Sequence, residues 1–95
     1  MRDTYRTKDG RACFDFRFVD KSSHFEIDIL STPGYGRRSR NRHKTHRISS
    51  HRGGDRICVG DDSAVRTLSQ AKRVAQAWSE QTWRYITTGR PFAGG

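Results

Sequence analysis

Cys13-Phe14-Asp15-Phe16-Arg17-Phe18-Val19, followed after the turn Asp20-Lys21-Ser22-Ser23 by His24-Phe25-Glu26-Ile27-Asp28-Ile29-Leu30, is the stretch on which the fold depends. Successive side chains of a strand point to opposite sides, so phenylalanine at every second position, separated by Asp and Arg, marks a strand with one buried face. The Phe side is the core side. Pairing residues whose numbers sum to 43 sets Phe18 on Phe25, Phe16 on Ile27 and Phe14 on Ile29, with the aromatic and β-branched partners on one face. On the other face Arg17 then opposes Glu26, but Asp15 opposes Asp28. Like charges across a ladder are unfavourable, so a cation such as Arg17 or Arg11 is expected to lean over them.

Working outward, Asp9-Gly10 predicts a hairpin with a type I′ turn, which requires positive φ at both central residues. It would join 4–8 to 11–19 with Tyr5 facing Phe14 and Thr7 facing Ala12. Downstream, Pro33 and the two glycines of Gly34-Tyr35-Gly36 end the strand. Thr45 to Ser49 and Arg56 to Val59 read as a further hairpin with Ile48 opposite Ile57, or else as a loop that stays mobile until it meets a partner. Thr67-Leu68-Ser69-Gln70 is a capping box. Leu68, Ala71, Val74, Ala75, Trp78, Thr82 and Tyr85 then recur at the spacing of one buried helical stripe, until Gly89 and Pro91 stop it. The expectation is a single α+β domain over 1–95. An antiparallel β-meander of three to five strands (4–31, a basic loop or hairpin over 32–55, a strand over 56–60) packs against one long C-terminal helix over 67–88.

Ninety-five residues carry 19 Lys and Arg against 10 Asp and Glu, a net charge of +9 with 32% hydrophobic residues. A core this thin does not favour a deep enclosed active site. No apolar run nears the roughly 20 residues that span a bilayer, and the first residues lack the apolar stretch of a signal peptide, which predicts a cytoplasmic protein. Cys13 and Cys58 form no repeated ligand pair and read as thiols packed in a sheet.

The excess charge is local. Arg37, Arg38, Arg40, Arg42, Lys44, Arg47 and Arg52 contribute +7 between them, and no Asp or Glu occurs from Ile29 through Gly54. A merely soluble surface would mix the signs. Arg dominates over Lys in this segment, which suits planar, bidentate contact with phosphate or base edges, and Tyr35, His43 and His46 add an aromatic and two hydrogen-bonding partners. These ten residues are the candidate contacts to nucleic acid, DNA or RNA, or to a ribonucleoprotein, by a monomer or small homo-oligomer without catalysis, cofactor or metal. Two sharper readings compete. His43, His46, His51 and Cys58 are zinc-ligand types, although an Arg-crowded loop repels a dication. The same histidines with neighbouring Arg could also supply the acid, base and cations of a metal-independent ribonuclease, if the loop were rigid. Gly34-Tyr35-Gly36 and Arg52-Gly53-Gly54 lack the helix and Lys of a phosphate loop.

The order of strands, an Arg-rich segment and a helix opening Thr67-Leu68-Ser69-Gln70-Ala71 resembles the arm-binding domains of phage-type tyrosine integrases, which lay a three-stranded sheet into the major groove. That resemblance implies DNA contacts from Arg11, Arg17 and the Arg37 to Arg47 group. Asp15, Glu26 and Asp28 depart from it on the outward face and shift the expected contact to the loop. Leu68-Ser69-Gln70-Ala71-Lys72-Arg73-Val74-Ala75 is similar to the helix of small phage-encoded anti-CRISPR proteins acting on type I-F complexes. This second resemblance implies a phage or mobile-element protein whose partner is a CRISPR surveillance complex and whose effect is to block its DNA binding.

Overall fold

The computed structural model describes residues 1–92. Five strands, β1 (Arg2–Arg6), β2 (Cys13–Asp20), β3 (Phe25–Ser31), β4 (Arg47–Ser49) and β5 (Asp55–Ile57), precede one helix, α1 (Leu68–Thr88), with a short 3-10 turn at Asp62–Ala64 between them. The strands form one antiparallel sheet in the order β1-β2-β3-β5-β4. The meander therefore covers only the first three strands, and β5 returns to pair with β3 while β4 takes the edge.

Tyr5 faces Phe14 as the alternation requires. Only Gly10 of the first turn is left-handed, at φ 73°, so the turn is not type I′. Asp9 serves through its carboxylate instead, accepting hydrogen bonds from Thr7 Oγ1 at 2.7 Å and the Arg11 N–H at 3.0 Å. The second turn corrects the expected register. Lys21 N–H donates to the His24 carbonyl at 2.8 Å and Ser22 adopts φ 72°, which sets Phe16 on Ile29, Phe18 on Ile27 and Arg17 on Asp28. Moving the pairing by two residues preserves the faces but changes every partner. A bulge at Asp15/Phe16 then places Asp15 beside Ser31, so the Asp15–Asp28 conflict never arises. Thr4 and Ser31 hydroxyls both donate to the Asp15 carboxylate and hold its pKa below the usual range.

The hairpin between β4 and β5 forms, with its register one residue off the expected one. Ser50 N–H bonds to the Gly54 carbonyl at 2.9 Å, and Gly53 and Gly54 are both left-handed, so Ile48 opposes Arg56 and Arg47 opposes Ile57. A one-residue slip turns every side chain to the other face. Arg47 consequently points inward and Ile48 outward.

The helix begins and ends where the sequence requires. Thr67 Oγ1 accepts from Gln70 N, Gln70 reaches back to the Thr67 N–H, and Gly89 closes the last turn at φ 78°. Its buried face, Ala71, Ala75, Trp78, Ser79, Thr82 and Tyr85, lies over β1 to β3. Trp78 meets Phe14 and Phe16 edge-on, at 5.8 and 6.0 Å between centroids. Phe14, Phe16, Phe18 and Ile27 from the sheet share this core with Ile57, Val65, Tyr35 and Phe92. Trp83, off the stripe, is anchored by its indole N–H to Asp9 Oδ2 at 2.7 Å. Cys13 is exposed and Cys58 half-buried, both free thiols. No helix among the described residues is long and apolar enough to cross a membrane.

Candidate nucleic-acid interface

The basic segment is ordered by a few of its own members. Tyr35 is buried, set edge-on to Tyr85 at 6.3 Å, with the Arg40 and Arg47 guanidiniums over its ring at 5.4 and 5.3 Å. Burial pushes its phenol pKa up. Arg47 donates to Thr45 Oγ1 at 2.8 Å, to Asp55 Oδ2 at 3.0 Å and to the Arg40 carbonyl at 2.7 Å. The Asn41 carbonyl accepts from the N–H and hydroxyl of Thr45 at 3.1 and 2.9 Å, and the Thr45 carbonyl accepts the Trp78 indole N–H at 2.9 Å. The loop is thus tied to the middle of the helix, and Arg47 is its internal pin rather than a surface contact.

Arg52 is likewise spent within the fold. Its Nε and Nη2 hold Asp28 at 2.7 and 2.9 Å, and Nη2 also reaches Glu26 at 2.7 Å. Ser50 Oγ donates to Asp28 at 2.8 Å, Arg17 approaches it at 3.6 Å, and Arg56 stands 3.7 Å from Glu26. Both carboxylates lie on the sheet face opposite the helix and are almost fully covered. The hydrogen bond from Arg52 holds Glu26 below the usual carboxylate range. Burial alone would raise Asp28, but the Arg52 and Ser50 hydrogen bonds and the charges of Arg52 and Arg17 outweigh it and bring its pKa down. Donating to Asp28 and then to Glu26 pushes the Arg52 pKa up in turn. The outward sheet face is therefore an internally neutralised ion-pair layer, and Arg17 is committed to it. Arg11, the other outward residue expected at DNA, lies over the Trp83 ring at 5.8 Å.

The remaining cations converge elsewhere. Arg37, Arg38, Ser39, His43 and Lys44 face Tyr85, Gly89, Pro91 and Phe92 across a cleft of about 460 Å³ between the loop and the C-terminal end of α1. Among the described residues, no carboxylate lines it. The side chains of Arg37, His43 and Lys44 make no hydrogen bond or ion pair with any other described residue. Arg38 donates from Nε to the Ile86 carbonyl at 3.2 Å and lies flat on Gly89. Arg42 reaches Asp55 Oδ1 at 2.8 Å yet is mostly exposed. Beside this cleft a second depression of about 470 Å³ brings Arg42, His43 and His46 against Ile48, Cys58 and Val59. His46 lies tilted against Phe92 at 4.8 Å between centroids, while His51 is exposed in the turn after β4.

Of the ten candidate contacts, Arg37, Arg38, Arg42, His43, Lys44 and His46 line these two depressions. Arg40 is exposed over the Tyr35 ring and lines neither, Arg47 reaches the second only from its buried position, and Tyr35 and Arg52 take no part. The slip in the last hairpin is the reason for Arg47, and the buried Glu26–Asp28 pair for Arg52. Their signal was present in the sequence: two acids alternating with Ile on a strand, next to an acid-free segment, demand a cation from that segment. Among the described residues, the one grouping of three metal-ligand types at coordinating distances is His24, Glu26 and Asp62; His43, His46, His51 and Cys58 do not form one. Arg56 lies 3.7 and 3.5 Å from the two acids of that grouping and supplies its positive charge. No protein-family model matches the chain, nor does any curated protein or solved structure.

Proposed function

We propose that this protein binds nucleic acid, as a free strand or as the exposed strand of a ribonucleoprotein, through the loop 37–44 and without catalysing a reaction on it. The observation that carries this reading is the cleft in which, among the described residues, no acid lines the wall and the side chains of Arg37, His43 and Lys44 have no partner, although acids elsewhere are matched to other arginines. A cation that merely kept the protein soluble would have no reason to share a concave wall with two others. Phosphate contacts release condensed counterions, so affinity must fall steeply with salt.

Salt titration with fluorescently labelled oligonucleotides tests it. Binding in the micromolar range or tighter is expected at low salt, and the double variant Arg37→Ala, Lys44→Ala should lower the slope of log K against log salt by about 2, one for each lost phosphate contact. No binding at low salt, or a slope unchanged in the double variant, would overturn the proposal. Labelled RNA that is cleaved by the wild type in EDTA and left intact by His46→Ala would replace it with the ribonuclease reading.

A further inference from the structure

The cleft between the basic loop and the end of the helix differs on its two walls. One wall is cationic, from Arg37, Arg38 and Lys44 with His43 beside them; the other is apolar, from Tyr85, Pro91 and Phe92. Its volume of about 460 Å³ falls in the range of sites that enclose a small group rather than surfaces that ride along a duplex. A duplex offers convex phosphate ridges and keeps its base faces stacked, and it is entered by a helix or β-ribbon, which this loop is not. An unpaired nucleotide offers an anionic phosphate at one end and an apolar base face at the other.

We infer that this cleft takes one unstacked nucleotide of a single strand, with its phosphate at Arg37 and Lys44 and its base against the wall of Pro91 and Phe92. The inference rests on the nucleic-acid reading above and adds the class of strand and the orientation. Two further features support it. The walls are built before any ligand arrives: the Tyr85 hydroxyl donates to the Ser39 carbonyl at 2.9 Å and Phe92 is held between His46 and Tyr85, at 4.8 and 5.9 Å. A helix C-terminus carries partial negative charge and would repel a phosphate. Arg38 covers it at the Ile86 carbonyl, with its guanidinium against Gly89, leaving the cationic wall effective.

The test compares labelled single-stranded DNA, single-stranded RNA and blunt duplex DNA carrying the same number of phosphates, at one salt concentration. Both single strands are expected to bind at least about tenfold more tightly than the duplex, the order of one base stacked on a protein wall. Equal or tighter duplex binding would overturn the inference while leaving the proposed function standing; binding to none of the three would overturn both. Adenosine monophosphate added to isotope-labelled wild-type protein should shift the signals of Arg37, His43, Lys44 and Phe92 together. Shifts confined to other surfaces, or none while oligonucleotides still bind, would also overturn it. In Phe92→Leu, which keeps an apolar filler but removes the ring, the single-strand preference should fall toward parity.

Discussion

Arg47 and Arg52 belong to the same cationic segment as Arg37 and Lys44, yet they do different work because of what lies opposite them. Arg52 neutralises two carboxylates that are 94% and 98% covered, Glu26 and Asp28. Removing one member of a buried ionic group leaves the others uncompensated, so Arg52→Met should cost about 3 kcal/mol in urea denaturation at neutral pH. Both carboxylates have folded pKa values below their ordinary ones. A lowered folded pKa means that the unfolded chain takes up protons first as pH falls. The stability these two groups contribute is therefore complete above about pH 5 and is lost as pH drops through the folded values. Wild type should lose stability between pH 5 and pH 2, and Arg52→Met should show a shallower loss over that interval; parallel curves would mean that the pair is not what links folding to protons there.

At the scale of elements, α1 does more than cover a sheet. Trp78 fills the angle between Phe14 and Phe16 and at the same time supplies the hydrogen bond that anchors Thr45. Trp78→Ala should cost about 3 to 5 kcal/mol, close to the whole stability of a domain this size. Trp78→Phe is the informative partner, because it retains most of the apolar volume but orphans the Thr45 carbonyl, a loss of about 1 to 3 kcal/mol. Amide exchange of Thr45 and Arg47 should quicken in that variant before exchange in β2 does. The other end of the helix carries a second dependency. At Gly89 a Cβ would be strained at φ 78° and would sit 3.0 Å from Arg38 Nη1. Gly89→Ala should cost about 1 to 2 kcal/mol in thermal or urea unfolding and displace Arg38 from the cleft wall.

Taken whole, the molecule is small beside the reach of its own charge. Its extents are 38 × 25 × 24 Å, and it carries +9. At 0.01 M salt the screening length is about 30 Å, so the unpaired cations repel one another across the entire fold; at 0.1 M it is about 10 Å. The compensating ion pairs at Glu26, Asp28 and Asp55 are largely covered and are screened much less. Thermal stability should therefore rise from low to moderate sodium chloride instead of falling, as it would if exposed ion pairs held the fold together. A polyanion such as heparin should raise the midpoint further, by binding the folded cleft in preference to the unfolded chain.

The strands, their faces, the helix and its caps could be read from local rules, because a two-residue period, a capping box and a left-handed glycine act over a few neighbouring residues. Tyr5 against Phe14 and the stripe from Ala71 to Tyr85 follow from such rules. Register was not legible in the same way. Shifting β2 on β3 by two residues keeps every phenylalanine in the core, so hydrophobic alternation cannot choose between the alternatives; the turn at Ser22 and the pairing of Arg17 with Asp28 chose. In β4 a slip of one residue exchanged Ile48 for Arg47, because Asp55, Thr45 and the Tyr35 ring together make a better environment for a guanidinium than the outer face does. Alternation, capping and the spacing of charge are enough to make this protein a sheet under one helix with a concentrated positive segment. Which cations remain free is a matter of three-dimensional packing, since it depends on the carboxylates of Glu26, Asp28 and Asp55 being brought close and on a cleft wall supplied by Tyr85, Pro91 and Phe92.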